Sequence, residues 1–181
     1  MPPGYASGVA TLVLSPPPSE LQALLERRRR AGLDRFDEVW DGMLHMITAP
    51  GLAHARVLSG VMELIAQSAR ASGLIPASGG FNLGESLRNF RVPDGGLHRP
   101  GASGLWLSTA ALVVEIISPD DETYEKLPFY AEHNVDEVAV ADPVKRTVEW
   151  LALTDGRYEA VDHSRLIDLS VADLAREIEW P

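Results

Sequence analysis

Apolar residues spaced three and four apart alternate along the chain with stretches in which every second residue is apolar, and the two periods divide it into elements. Ser19 precedes Leu21, Leu24 and Leu25, with Gln22 at the capping-box position. This predicts a helix that runs through Arg27–Arg30 and stops near Gly32. Phe36–Trp40 and Met43–Ile47 flank Asp41-Gly42, a pair suited to the positive φ values of a tight turn, and predict a β-hairpin. Val57, Val61, Leu64, Ile65 and Ser68 recur at helical spacing from about Ala53 to Ser72, and Gly73 ends the run. Short strands are expected near Leu74–Ile75, Phe81–Leu83 and Asn89–Asp94, before a loop rich in Gly and Pro.

Ala111–Ser118 is the clearest buried strand. A helix is expected from about Glu122 to His133, then strands at Glu137–Ala141, Thr147–Leu153 and Arg157–Val161, with turns at Asp142-Pro143 and Asp155-Gly156. Ser170, with Asp173 three residues on, caps a final helix. The order helix, strands, helix, strands implies a mixed α/β (α+β) domain over residues 19–181, with one sheet and one core. Residues 1–18 end in Ser15-Pro16-Pro17-Pro18 and read as a flexible arm.

Composition narrows the class. The 181 residues are 45% hydrophobic, which suits a globular chain and excludes wholesale disorder. There is no cysteine, which excludes disulfides and thiolate metal sites and fits a cytoplasmic protein. No apolar run approaches the ~20 residues that span a bilayer, and Met1–Ala10 lacks the features of a signal peptide. The net charge of −10 looks unfavourable for a nucleic-acid partner, but it is unevenly spread. Residues 1–110 hold 10 bases and 9 acids, whereas residues 111–181 hold 6 bases and 17 acids. The bases comprise 14 Arg and only two Lys, Lys126 and Lys145. Arg27–Arg30 either complement the dipole at a helix C-terminus or contact phosphate.

Three residues stand out chemically. Glu115 lies mid-strand between apolar neighbours on both faces, where a carboxylate must be paired, protonated or bound to a metal. A salt bridge to Arg91 from a neighbouring strand is the structural alternative. Asp94 follows Pro93 and precedes Gly95 and Gly96, which leave room for something to approach the backbone. Pro-Asp-Gly is also an ordinary turn. If Asp94 and Glu115 share a site, their oxygens favour Mg²⁺ or Mn²⁺. Lys126 sits at the start of the following helix with Tyr130 one turn on, either facing a phosphate or paired with Glu122 at i−4. His54 opens the long helix. No helical H-x-x-x-H pair, P-loop, hydrolase elbow or dinucleotide fingerprint is present, so zinc and nucleotide cofactors are not expected.

Glu38-x-x-Asp41-Gly42, His54, Arg91-Val92-Pro93-Asp94, Val114-Glu115-Ile116-Ile117-Ser118-Pro119, Lys126-x-x-x-Tyr130-Ala131 and Val140-x-Asp142-Pro143 occur in that order. Over roughly residues 34–160 the combination resembles the Uma-two family of restriction-endonuclease-like proteins, placed in the PD-(D/E)XK nuclease superfamily. The resemblance implies a restriction-endonuclease-like core, a central mixed or antiparallel sheet flanked by helices. It implies that Asp94 and Glu115 are the metal-binding acids. The superfamily places a Lys two residues after the second acid, where this chain has Ile117, and Lys126 matches a position on the following helix to which that Lys has moved. Family members often have Glu after the Asp-Gly turn, where this chain has Met43.

The activity so implied is Mg²⁺-dependent hydrolysis of DNA by an endonuclease, with Asp94, Glu115 and Lys126 catalytic, Asp94 and Glu115 holding the metal, and His54 and Tyr130 lining the site. The competing expectations are an inactive nucleic-acid-binding or dimerisation module of the same fold, motivated by Met43 and Ile117, and a metal hydrolase of small phosphate esters. DNA binding is expected to be weak given the acidity. A homodimer is expected from the two-strandedness of a duplex substrate, through the arm or the hairpin.

Overall fold

The chain's short hydrophobic segments find partners far along the sequence, and the pairing builds two sheets. A computed structural model describes the backbone of residues 10–13 and the whole of residues 18–119 and 122–181. The elements are β1 (Ala10–Val13), α1 (Ser19–Arg30), β2 (Glu38–Trp40), β3 (Met43–Met46), α2 (Leu52–Ala71), β4 (Ile75–Ser78), β5 (Asn82–Ser86), β6 (Asn89–Arg91), β7 (Gly95–His98), β8 (Trp106–Leu107) and β9 (Leu112–Ile116). A 3₁₀ turn (Tyr124–Lys126) leads into α3 (Leu127–Glu132), followed by β10 (Glu137–Asp142), β11 (Thr147–Thr154), β12 (Arg157–Ala160) and α4 (Val171–Glu177).

The first sheet runs β1-β3-β2-β6-β5-β8 and the second β12-β11-β10-β9-β7-β4. The single sheet expected from the element order is therefore corrected to two. One of the chain's crossings between them falls at Pro93-Asp94, between β6 and β7. Proline has no N–H for a ladder, so the strand breaks there. Asp94 is thereby placed where one sheet gives way to the other.

Alternation along β9 divides the apolar interior. Leu112, Val114 and Ile116 pack with Val57, Val61, Met62, Ile65 and Ala69 of α2 and with Leu174 of α4. Val113 packs with Phe129, Tyr130, Val138 and Val140, in a second cluster that includes Leu83 of the first sheet. β9 lies between parallel β10 and antiparallel β7, and all five of its residues are buried. The sheet is mixed, and the doubly covered central strand expected from its sequence is present.

Local signals fare unevenly. Asp41 (φ 49°) and Gly42 (φ 87°) make the hairpin turn, and Ser170 Oγ accepts the Asp173 N–H at 3.0 Å. The Ser19 cap does not form: Pro18 is the N-cap, and Ser19 Oγ turns to Glu20 instead. The helix expected from Glu122 begins as a 3₁₀ turn because Pro128 falls at its start and supplies no N–H. The loop after Asp94 contains β7 and β8. Room at Gly95 and Gly96 is filled by the protein itself: a Cβ on Gly95 would lie 2.8 Å from Met62 Sδ, and one on Gly96 would collide with the Leu112 carbonyl. Within the stretch read as an arm, Ala10–Val13 pairs antiparallel with β3; residues 1–9 and 14–17 lie outside the described residues. Among the described residues no helix is long and apolar enough to cross a membrane.

Candidate active site

A pocket of about 330 Å³ opens between β2 of the first sheet, β9 of the second and the start of α2. It is lined by Glu38 and Trp40 of β2, His54 of α2, Asp94, Glu115 of β9, Ser118, Glu122 and Lys126, with apolar walls from Phe36, Ile47, Pro50, Val92 and Pro119. Asp94, Glu115, Lys126 and His54 thus converge. Tyr130 lies beneath the pocket and reaches the same carboxylate.

Each side chain is aimed by its element. Residues at i and i+4 share a helix face, so Lys126 and Tyr130 both project onto β9. Lys126 Nζ lies 3.2 and 3.4 Å from the two oxygens of Glu115, and the Tyr130 hydroxyl donates a short hydrogen bond to Glu115 Oε1. Asp94 is held from three sides. Its Oδ2 accepts the Ile116 N–H at 2.8 Å, its carbonyl accepts from Gly79 and Gly80, and His54 Nε2 stands 3.1 Å from Oδ1. His54 is one turn ahead of Val57 on the buried face of α2, and its Nδ1 meets Ser118 Oγ at 3.1 Å.

Two bland readings of the sequence do not hold. Arg91 does not pair with Glu115; it is sandwiched between the Trp40 and Phe129 rings, with its guanidinium carbon 4.3 and 4.1 Å from their centroids. Its Nη1 donates to the Val39 carbonyl at 3.1 Å. Glu122 does not serve Lys126 either, because it meets His45 Nδ1 at 2.8 Å.

Glu38 is the residue that sequence reasoning missed as a site residue. It is 1% exposed. Oε1 lies 3.0 Å from Lys126 Nζ and accepts the Val92 N–H at 2.8 Å, while Oε2 accepts the Trp40 indole N–H at 2.7 Å. Trp40 shares its face because the strand period is two. An acid at the head of an apolar strand carries the same signal that marked Glu115.

Electrostatics follow from burial and like charges. Burial pushes the Glu115 carboxyl up to about 8, and the neighbouring Asp94 and Glu38 charges add to the effect against the opposing pull of Lys126. Burial alone would lower the Lys126 ammonium, but Glu115, Glu38 and Asp94 outweigh it and hold it above its usual value. Tyr130 is raised by burial and by Glu115, so it remains a donor. Three carboxylates therefore face one ammonium. Glu38 is held by three donors and Glu115 by Lys126 and Tyr130, and Asp94 and Glu115 are the carboxylates that could hold a cation. Among the described residues no group of three or more Asp, Glu and His side chains forms a metal cage. Two carboxylates suit Mg²⁺, which is ordinarily held by one or two carboxylates together with waters and phosphate.

Comparison with known proteins agrees in fold. The Uma2 family model, described as "Putative restriction endonuclease", matches residues 20–180. A crystal structure from Anabaena variabilis, described as "a putative nuclease belonging to DUF820", aligns with a TM-score of 0.63 at 17% identity, covering 78% of this chain and 90% of that one. At that identity the likeness shows a shared fold. No curated protein matches the chain.

Proposed function

Because the chain belongs to the Uma2 family of restriction-endonuclease-like proteins, we propose that its pocket hydrolyses phosphodiester bonds of DNA with the help of Mg²⁺ or Mn²⁺. The observation that carries this reading is the convergence of Asp94, Glu115 and Lys126 from three separate segments on one pocket. Asp94 and Glu115 would hold the ion, which when bound lowers the pKa of water and polarises the phosphate. The chain's own residues do the rest. Lys126, kept charged by its carboxylates, presents an ammonium to the negative charge that builds on the phosphate. Glu38 keeps that ammonium in place. Tyr130 fixes Glu115 from below, and His54 stands beside Asp94.

Two departures from the family pattern, Met43 and Ile117, bear on this reading. Met43 is 40% exposed on the hairpin, lies opposite the pocket residue Trp40 in the β2–β3 pairing, and does not itself line the pocket. Ile117 packs against the Phe129 and Tyr130 cluster, and the ammonium comes from Lys126 instead. Plasmid DNA incubated with Mg²⁺ or Mn²⁺ tests the proposal. Nicking by the wild type and none by Asp94→Asn or Glu115→Gln is expected; equal cutting by all three would overturn it. A parallel screen of small phosphate esters separates DNA from a small substrate.

A further inference from the structure

Five of the sixteen basic residues fall between Arg27 and Arg35, where Asp34 is the only acid. In a chain of net charge −10 this is a concentrated positive surface. The fold holds one of the five closely through its Nη2. Arg28 donates to Asp37 Oδ1 at 2.6 Å and to the Leu33 carbonyl at 2.9 Å. Arg29 approaches Asp34 only at 3.9 Å. Arg27, Arg30 and Arg35 are exposed and make no ion pair or side-chain hydrogen bond among the described residues; Arg35 lies 5.9 Å over the Phe36 ring.

Closing the helix does not require them. The last carbonyls of α1 accept from Ala31, Gly32 and Leu33, so the end is already capped by backbone. α1 half-buries Leu21, Leu25 and Arg28, while Arg27 and Arg30 stand exposed on it.

The position of this surface is fixed relative to the pocket. Asp37 Oδ1, which receives Arg28, also accepts the Ile47 N–H at 2.9 Å, and Ile47 lines the pocket. Phe36, the residue after Arg35, lines it too. The arginines therefore begin at the rim of a pocket whose floor is dominated by carboxylates, and a polyanion needs cations at such a rim to approach.

We propose that Arg27, Arg30 and Arg35 form a docking surface for the phosphate backbone of nucleic acid that leads into the pocket. This rests on the reading of the pocket as a phosphodiesterase site. Each phosphate contact contributes about 0.7–0.9 to the dependence of log affinity on log salt.

The test is fluorescence anisotropy of labelled duplex and single-stranded oligonucleotides in metal-free buffer, where nothing is cut. The triple variant Arg27→Gln, Arg30→Gln, Arg35→Gln is expected to bind at least tenfold more weakly at low salt, with the salt slope reduced by about 2 to 3. Arg70→Gln, Arg157→Gln, Arg176→Gln removes equal charge from α2, β12 and α4 and is expected to bind like wild type. Equal weakening of both triples, no weakening of the first, or no binding by the wild type would each overturn the docking surface. Plasmid nicking is scored separately: nicking without the binding difference removes the docking surface alone, and the binding difference without nicking removes the nuclease reading alone.

Discussion

Oε1 of Glu38 lies 3.0 Å from Nζ of Lys126, nearer than either carboxylate oxygen of Glu115. The ammonium thus has a fixed counter-ion that is not among the proposed metal ligands, and it can stay in place while Glu115 changes partners. Removing Glu38 exposes the dependence. Glu38→Ala removes the nearer counter-ion of the ammonium, leaving it Glu115 alone, and strands the Val92 N–H and the Trp40 indole N–H; it is expected to destabilise the protein by about 3–5 kcal/mol in denaturant titration. Glu38→Gln is expected to fold and to lose about a hundredfold in turnover with little change in KM, as a displaced catalytic group does.

Lys126→Met removes the charge itself. Turnover is expected to fall by about 10²–10³, the scale for losing one electrostatic stabiliser, while Mn²⁺ affinity measured by calorimetry does not fall. A loss of Mn²⁺ binding would mean that Lys126 supports the ligands rather than the phosphate.

Asp94→Asn separates fold from chemistry. An Asn carbonyl oxygen still accepts the Ile116 N–H, so the thermal midpoint should change little, whereas calorimetric Mn²⁺ binding and plasmid nicking should be lost.

Glu115 predicts a pH dependence. Its carboxyl ionises near 8 in the folded chain against 4.5 ordinarily, so between those values the native state binds more protons than the unfolded state. Its contribution to stability is fully present below about 4.5 and is lost as pH rises through about 8. Denaturant midpoints of the metal-free protein should fall across that window, and Glu115→Gln should flatten the fall. Mn²⁺ affinity should rise over the same range, because the cation takes the carboxylate form.

Glu137 offers a contrast. It is as buried as Glu38, but it accepts from the Trp150 indole at 2.8 Å, Ser164 Oγ at 2.6 Å and the Arg165 N–H at 2.6 Å, tying residues 164–165 to β10 and β11. It lies outside the pocket lining. Glu137→Ala should cost about 1–3 kcal/mol for each donor left unpaired, seen as a lower thermal midpoint, with nicking by the remaining folded protein unchanged.

What was legible locally held well. The apolar run on both faces of Ala111–Ser118 marked a strand covered on both sides, and a carboxylate within it had to have a function or a partner. Asp41-Gly42 needed its turn, and the spacing of Val57, Val61 and Ile65 needed a sheet to lie on. Such signals depend only on backbone conformation and on the period of a side-chain face, which neighbours in sequence define. The Ser19 cap failed on the same scale, since Pro18 occupies the cap position.

Partnership was decided in three dimensions. Whether Glu115 met Arg91 or Lys126, whether Lys126 met Glu122 or Glu38, and whether the strands formed one sheet or two all turn on pairings between distant segments. A strand's pattern states which face is buried but not what covers it. Proline at position 93 ends a ladder, yet only the packing of the second sheet brings the next residue, Asp94, to the backbone of Ile116. The acids were written into the chain; the pocket that gathers them was made by long-range burial, because a desolvated charge accepts only the partners that the folded backbone carries to it.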